Sequence, residues 1–285
     1  MPDPVDSLIL DLLEWIGPDE RTYAETIDAW RTSCPRLPVW EEANDRGFVE
    51  RRRRAGAETI RVTPAGWEFV AKRRPDRRAA LPGFGDVLRF WFPDPMPRDE
   101  ESLRRELERW FRGGTDAAIA AGFAPLAEAA ARGALDAWAD APRSRLALIL
   151  ALDQFPRSLF RDTPRAYAQD AKALALALDG IERGHYAALA DPFEKTFFAM
   201  PLGHSEDLRH LDRVVGLMDE LARDAPPELR RVLEHSAAQA RGHRDVVARF
   251  GRQPHRNAVL GRESTPEERE YLARGDFVHT RSIPR

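Results

Sequence analysis

Three times in the second half of this chain a helix-capping residue is followed at once by proline: Thr163-Pro164, Asp191-Pro192 and Thr265-Pro266. A side-chain oxygen can take free N–H groups of a first helical turn, and proline suits the first helical position because it has no N–H to lose there. Each pair predicts a helix start. Pro142 and the pair Pro226-Pro227 predict two more. Between these starts the apolar residues keep helical spacing. Leu103, Leu107, Trp110 and Phe111 share one face before Gly113-Gly114 ends the helix, and Leu208, Leu211, Val215, Met218 and Leu221 share another. A long helix from about Glu228 ends at Gly251, and Pro254 keeps it from resuming. No β-period run of any length interrupts this pattern. Amphipathic helices joined by short turns pack as antiparallel neighbours. No clean 34-residue repeat is found, so a strict tetratricopeptide array is not readable in the sequence.

The first seventy residues follow a different order: helix, helix, helix, hairpin, helix. Leu8, Leu12, Trp15 and Ile16 share a face of a helix from Ser7 that Gly17-Pro18 stops. Thr22 and Glu25 form a T-x-x-E capping box for a helix to about Arg31. Pro38 opens a third helix that closes at Gly47. Phe48 to Arg53 and Glu58 to Val62 read as strands around a turn at Ala55-Gly56, and Thr63-Pro64 opens a last helix. This is the order of a winged helix. The segments YAETIDAWRTSCPRLPVWEEANDRGFV and VTPAGWEF are similar to small stand-alone winged-helix-like proteins of Proteobacteria. The expected organisation is a winged-helix-like domain at 1–72, a basic linker at 73–83, a helical domain at 84–275 and a tail at 276–285.

Composition narrows the function classes. The chain has 285 residues, of which 43% are hydrophobic and 32% charged, as in ordinary soluble globular proteins. The one cysteine, Cys34, excludes an internal disulfide framework and reads as structural beside Pro35. The start MPDPVDSLILDL is acidic and is not a signal peptide, and the longest apolar run, Leu146 to Leu152, is too short to span a membrane. A cytoplasmic location is expected. A net charge of −3 excludes a generally basic nucleic-acid binder. Only three of the 44 basic residues are lysine, so arginine clusters carry less weight here than elsewhere.

In a winged helix the third helix enters the major groove of DNA. Here that helix uses Val39, Trp40 and Ala43 for its core and otherwise carries Glu41, Glu42, Asn44 and Asp45, with Arg46 alone favourable. Carboxylates on that face repel phosphates. The wing carries Arg51, Arg52, Arg53 and Arg54, which alternation sends to both faces. The preferred reading is a domain that docks protein. DNA binding through the wing is the weaker alternative.

Polar residues break the helical domain at three places. Asp153, Gln154 and Arg157 follow the apolar run directly, with Arg161 beyond, and Pro156 is expected to kink or end the helix between Asp153 and Arg157. At His204-Ser205-Glu206-Asp207, Ser205 is the expected helix cap with Glu206 and Asp207 in the first turn, which leaves His204 unexplained. At Arg249 to Asn257, Arg252, His255, Arg256 and Asn257 crowd a rigid turn, and His243 shares a face with Phe250. Short polar motifs at helix ends suggest one concave pocket whose arginines favour an anion. Acid–base candidates are Asp153, His204, Glu206 and His255. Ligand-binding candidates are Gln154, Arg157, Arg161, His243, Arg252, Arg256 and Asn257. Asp153, His204, Glu206 and His243 carry atoms suited to a metal, but no spacing sets two of them one helical turn apart, so neither metal nor cofactor is expected. Ser205 follows His204, yet adjacent helical residues diverge, and no G-x-S-x-G elbow or glycine-rich phosphate loop occurs.

The segments VLRFWF, LDQFPR, TPRAYAQD, MPLGHSED, HRDVVARFGRQPHRN and GRESTPEE resemble, in order and spacing, the bacterial domain-of-unknown-function family 924 over about residues 84–275. The resemblance implies an α-helical fold of the tetratricopeptide-like superfamily and no established activity. Ser158 stands where that family often has Asn, and Gln253 where an aromatic is usual. The expected function is a helical module that binds a small anionic molecule or peptide, with the N-terminal domain as a docking or output piece. An enzyme working through the same pocket and a transcription regulator are the alternatives.

Overall fold

The computed structural model describes residues 4–17, 21–29, 39–54, 57–73, 81–275 and 277–278. Cys34, Pro38, the turn at Ala55-Gly56, most of the basic linker and nearly all of the tail lie outside the described residues. The chain divides into two compact units, Met1–Leu88 and Arg89–Arg285. Among the described residues no helix is long and apolar enough to cross a membrane.

The first unit runs α1 (Pro4–Ile16), β1 (Arg21–Thr22), α2 (Tyr23–Ala29), α3 (Val39–Asp45), β2 (Val49–Arg54), β3 (Ala57–Val62) and α4 (Pro64–Arg73). Its core face on α1 is Ile9, Leu12, Leu13 and Ile16, whereas Leu8 and Trp15 are half-buried at the edge of the expected stripe. Gly17 ends α1 at φ 70°, a conformation that L side chains avoid. The capping box of α2 is present: Glu25 N–H donates to Thr22 Oγ1 at 3.2 Å, and Thr22 N–H donates to Glu25 Oε2 at 3.1 Å. Strand β1 is an addition to the expected order. It pairs antiparallel with β3 through Arg21 opposite Ile60, giving a sheet of order β1-β3-β2. Two residues are too few to show a period in sequence. Asp6 binds Arg46 at 2.7 Å and Arg73 at 3.0 Å, which ties α1 to the end of α3 and to α4.

Helix α5 (Phe84–Trp91) contains the division between the units. The second unit continues with α6 (Glu100–Phe111), α7 (Asp116–Gly122), α8 (Ala124–Ala131), α9 (Pro142–Leu159), α10 (Asp170–Glu182), α11 (His185–Ala188), α12 (Pro192–Gly203), α13 (Leu208–Arg223), α14 (Pro227–Phe250) and α15 (Pro266–Arg274). Its described residues contain no strand. The predicted starts at Pro142, Asp191-Pro192, Pro226-Pro227 and Thr265-Pro266 all open α-helices. Asp191 accepts from Phe193 N–H at 2.7 Å and from Glu194 N–H at 3.2 Å. Thr163-Pro164 opens only a 3-10 turn over Pro164–Tyr167, and α10 starts at Asp170. Phe111 departs from its expected face and is 46% exposed, leaving Leu103 and Trp110 as the buried part.

Helix α9 is the centre of this unit. Every residue from Ser144 to Pro156 is buried, and α7, α8, α10, α11 and α12 all pack on it. A helix apolar all round must be covered on all sides. An aromatic cluster covers one side: Trp91 meets Phe155 at 6.0 Å and Phe197 at 5.3 Å, and Trp110 meets Phe197 at 4.9 Å. Near the start of α9, Arg145 is 1% exposed. It donates to the carbonyls of Ala139 at 2.6 Å and Leu176 at 2.8 Å, meets His185 Nδ1 at 3.1 Å and pairs with Asp179 at 2.7 Å.

Helix α9 also corrects the reading of Pro156. The helix passes through that proline and ends at Leu159. Proline so near a helix end costs one ladder hydrogen bond, the N–H of residue 156 to the carbonyl of Leu152, and the surrounding packing holds the last turn in place.

Gly180 on α10 faces the base of this core. A methyl group there would lie 2.5 Å from Phe198 Cζ and 2.6 Å from Arg145 Cδ. Gly180→Ala is expected to destabilise the protein by about 1–2 kcal/mol in urea unfolding, the overpacking outweighing the helix preference of alanine; a neutral or stabilising result would show that Phe198 and Arg145 yield freely.

Candidate functional site

The apolar run of α9 ends at Asp153, whose carboxylate is 1% exposed and fully engaged. His204 Nδ1 lies 2.8 Å from Asp153 Oδ1, Gln154 Nε2 donates to Oδ2, and Arg157 Nη1 donates to Oδ1 at 3.3 Å and to the Asp153 carbonyl. Because α9 runs on through Pro156, Asp153 and Arg157 lie one helical turn apart and face the same way. Arg157 Nη2 continues to Asp170 in the first turn of α10 at 2.9 Å. Arg256, in the 3-10 turn after α14, reaches the same Asp170 at 3.4 Å and the His204 carbonyl at 3.0 Å. The Tyr167 ring lies against both guanidiniums, 5.5 Å from Arg157 and 4.9 Å from Arg256. Four of the motifs therefore meet around one buried carboxylate.

Charges in this cluster set one another. Burial pushes the Asp153 carboxyl up, but the positive charge of Arg157 and the contact with His204 outweigh it and hold the group well below the usual carboxylate range. Burial and then Arg157 lower the His204 imidazole, against the pull of Asp153, so His204 is neutral near pH 7. Burial and the like charge of Arg157 lower Arg256, against Asp170. With Nδ1–H directed to Asp153, the lone pair of His204 sits on Nε2. Among the described residues Nε2 has no hydrogen-bond partner, and the side chain keeps 20% of its exposure. Arg256 Nε and Asp170 Oδ1 are buried without partners among the described residues.

A second set adjoins the first. Glu206 receives Arg262 at 2.7 and 3.0 Å and the N–H of buried Gln253 at 2.8 Å, and Arg262 also donates to the Gln253 carbonyl at 3.1 Å. Burial raises the Glu206 carboxyl and the Arg262 hydrogen bonds lower it, with a net decrease. A third set is a clasp. Arg252 grips Glu268 at 2.6 and 2.8 Å, Asn257 Nδ2 donates to Glu268 at 3.2 Å, and Thr265 with Glu268 makes the capping box of α15.

The expected site residues separate accordingly. Asp153, Gln154, Arg157, His204 and Arg256 come together, with Glu206 beside them. Arg252 and Asn257 turn to Glu268. Arg161 pairs with Asp116 at 2.7 Å on the surface. The carbonyl of His243 accepts from Gln253 at 3.4 Å, and the His255 ring lies 6.3 Å from that of Phe277. Ser205 is not the helix cap: Asp207 caps α13 by accepting from Arg209 N–H at 2.9 Å, and Ser205 and Glu206 precede the helix. Tyr167, Asp170 and Arg262 were outside the expected set, although all three lie in or beside the motifs TPRAYAQD and GRESTPEE. Cavities of about 360 and 400 Å³ lie elsewhere, one beside Leu103 and Val232 and one beside Ala222 and Ala237. Among the described residues no group of three or more His, Cys, Asp and Glu side chains is arranged to hold a metal ion.

Residues 87–276 match the family described as bacterial protein of unknown function (DUF924), which takes in every residue of this cluster. The chain belongs to that family. A solved structure from Agrobacterium tumefaciens, the protein of unknown function ATU0120, is 38% identical, with a TM-score of 0.55. The match covers 67% of this chain and 97% of that one. No curated protein matches. The DUF924 region therefore carries the Asp153–His204 cluster, and the first unit precedes it.

The His204 imidazole is expected to titrate below its ordinary 6.5 in histidine NMR spectra. Asp153→Asn should move it lower still and Arg157→Gln higher, since those neighbours act in opposite directions. The sign for stability follows. A histidine lowered on folding contributes stability above about pH 6.5 that is lost as pH falls through the folded value. An unchanged midpoint in Asp153→Asn would detach His204 from Asp153.

Proposed function

We propose that the DUF924 unit binds a small anionic molecule against the Tyr167–Arg256 face and that His204 exchanges a proton with it. The contact between His204 Nδ1 and Asp153 at 2.8 Å carries this reading. A buried carboxylate that fixes the imidazole and its tautomer, while Nε2 stays open, prepares a general base at neutral pH. Arg157 is held by both Asp153 and Asp170, whereas Arg256 meets Asp170 only at 3.4 Å and keeps a buried Nε without a partner among the described residues. An anion supplies what is missing, and guanidinium forks match carboxylate or phosphate oxygens. Asp153 orients, His204 transfers the proton, and Arg157 and Arg256 anchor the charge.

The first unit supports a separate reading, a winged helix that docks protein. Its helices and its sheet order β1-β3-β2 suit that fold. The exposed side of α3 presents Glu41, Asn44 and Asp45, and the one cation there, Arg46, is held by Glu42 and Asp6. Arg51 lies over the Tyr23 ring at 4.0 Å.

Thermal unfolding of the full chain with a panel of small carboxylates and phosphate esters tests the first reading. A ligand at about 100 times its dissociation constant adds about 2.7 kcal/mol, which raises the midpoint by roughly 5–10 °C. The shift is expected to vanish in Arg256→Ala and to persist, without turnover, in His204→Asn. Equal shifts in wild type and Arg256→Ala would remove Arg256 from the site. For the first unit, no retention on a DNA column is expected at low salt; retention lost in a variant with Arg51 to Arg54 changed to Ala would replace docking by DNA binding.

A further inference from the structure

We propose that Ser205 is a nucleophile for acyl transfer, with His210 as the base that takes its proton. The residues are distinct from the Asp153–His204 pair. Ser205 lies in the turn between α12 and α13, half-buried, with Oγ held from two sides. The N–H of Asp207 donates to Oγ at 3.1 Å, which fills an acceptor position. His210 Nδ1 stands 3.1 Å from the same oxygen, so in the Nε2–H tautomer the hydroxyl donates its proton along that line. Closing the turn needs the first contact alone. The second gives a serine hydroxyl an adjacent base within hydrogen-bond reach, which is how a weak nucleophile is activated.

Both partners are fixed by the same helix start. His210 lies in the first turn of α13, where its N–H bonds the Asp207 carbonyl at 3.1 Å. Asp207 caps that turn and is bound by Arg209 at 2.6 Å, which holds its carboxyl down at about 2. The histidine directly before the serine in sequence, His204, is turned to Asp153. The base comes five residues later, from the next helix.

The chemistry balances with an ester and water. Ser205 Oγ bonds to the acyl carbon while the bond from that carbon to the leaving oxygen breaks. The hydroxyl proton passes to His210 and on to the leaving alcohol. Water then cleaves the acyl–Oγ bond, which releases the acid and restores the serine.

A fluorophosphonate reads the nucleophile without a known substrate, since Oγ displaces fluoride from phosphorus. Intact mass and peptide mapping of the full chain are expected to place one adduct on Ser205. Ser205→Ala should give none, and His210→Gln should react at least about tenfold more slowly, the scale of a lost general base. The wild-type labelling rate should rise with pH as an imidazole loses its proton, a readout that stands even where a variant fails to fold. No adduct on Ser205, an equal rate in folded His210→Gln, or a flat pH profile between 5 and 8 would overturn the assignment.

Discussion

The buried length of α9 governs the second unit. From Ser144 to Pro156 the helix has no face left for water, so other helices must cover it on every side. The same condition applies to its polar residues. A charged group carried into such an interior must find partners or destabilise the fold by several kcal/mol. Arg145 at one end and Asp153 at the other both meet that demand, and each recruits groups from distant parts of the chain. The Asp153 cluster is thus the polar terminus of the core. Its neighbours, Arg157, Asp170, His204 and Arg256, are joined to it and to one another by hydrogen bonds.

Much of this was legible in the sequence. Proline at the first position of a helix acts within one turn, so four of the five expected starts open α-helices where the pattern put them. Thr163-Pro164 did not, because its turn closes after four residues and Tyr167 is carried into the cluster instead. Pro156 misled because its effect depends on position. In a helix centre it would break the ladder, whereas here the helix has one turn left and the packing keeps it. Strand β1 is two residues long and leaves no periodic trace. Ser205 and Asp207 are both good caps by type, and local geometry alone decides for Asp207.

The site divides along similar lines. Asp153, Gln154, Arg157 and His204 stood out because polar residues beside apolar runs require partners. Tyr167, Asp170 and Arg262 did not, since such residues are ordinary on a surface and only the fold brings them inward. Arg252 and Asn257 looked equally fit for a ligand, yet Glu268, sixteen and eleven residues further on, takes both. Charge type shows that an arginine will be paired and not whether its partner is a ligand or the chain's own next helix. In the first unit the same holds for Arg46, which Asp6 and Glu42 take, and for Arg51, which lies over the Tyr23 ring.

Arg145 gives the arginine-rich composition another meaning. Its planar fork serves the carbonyls of Ala139 and Leu176, the imidazole of His185 and the carboxylate of Asp179 at one time. A lysine would carry the same charge to one point on a flexible stem and leave most of those groups unserved. The usual exchange of one basic residue for the other is closed at this position. A drift in genome composition toward lysine would therefore reach the surface arginines first and halt here, where geometry dictates the side chain.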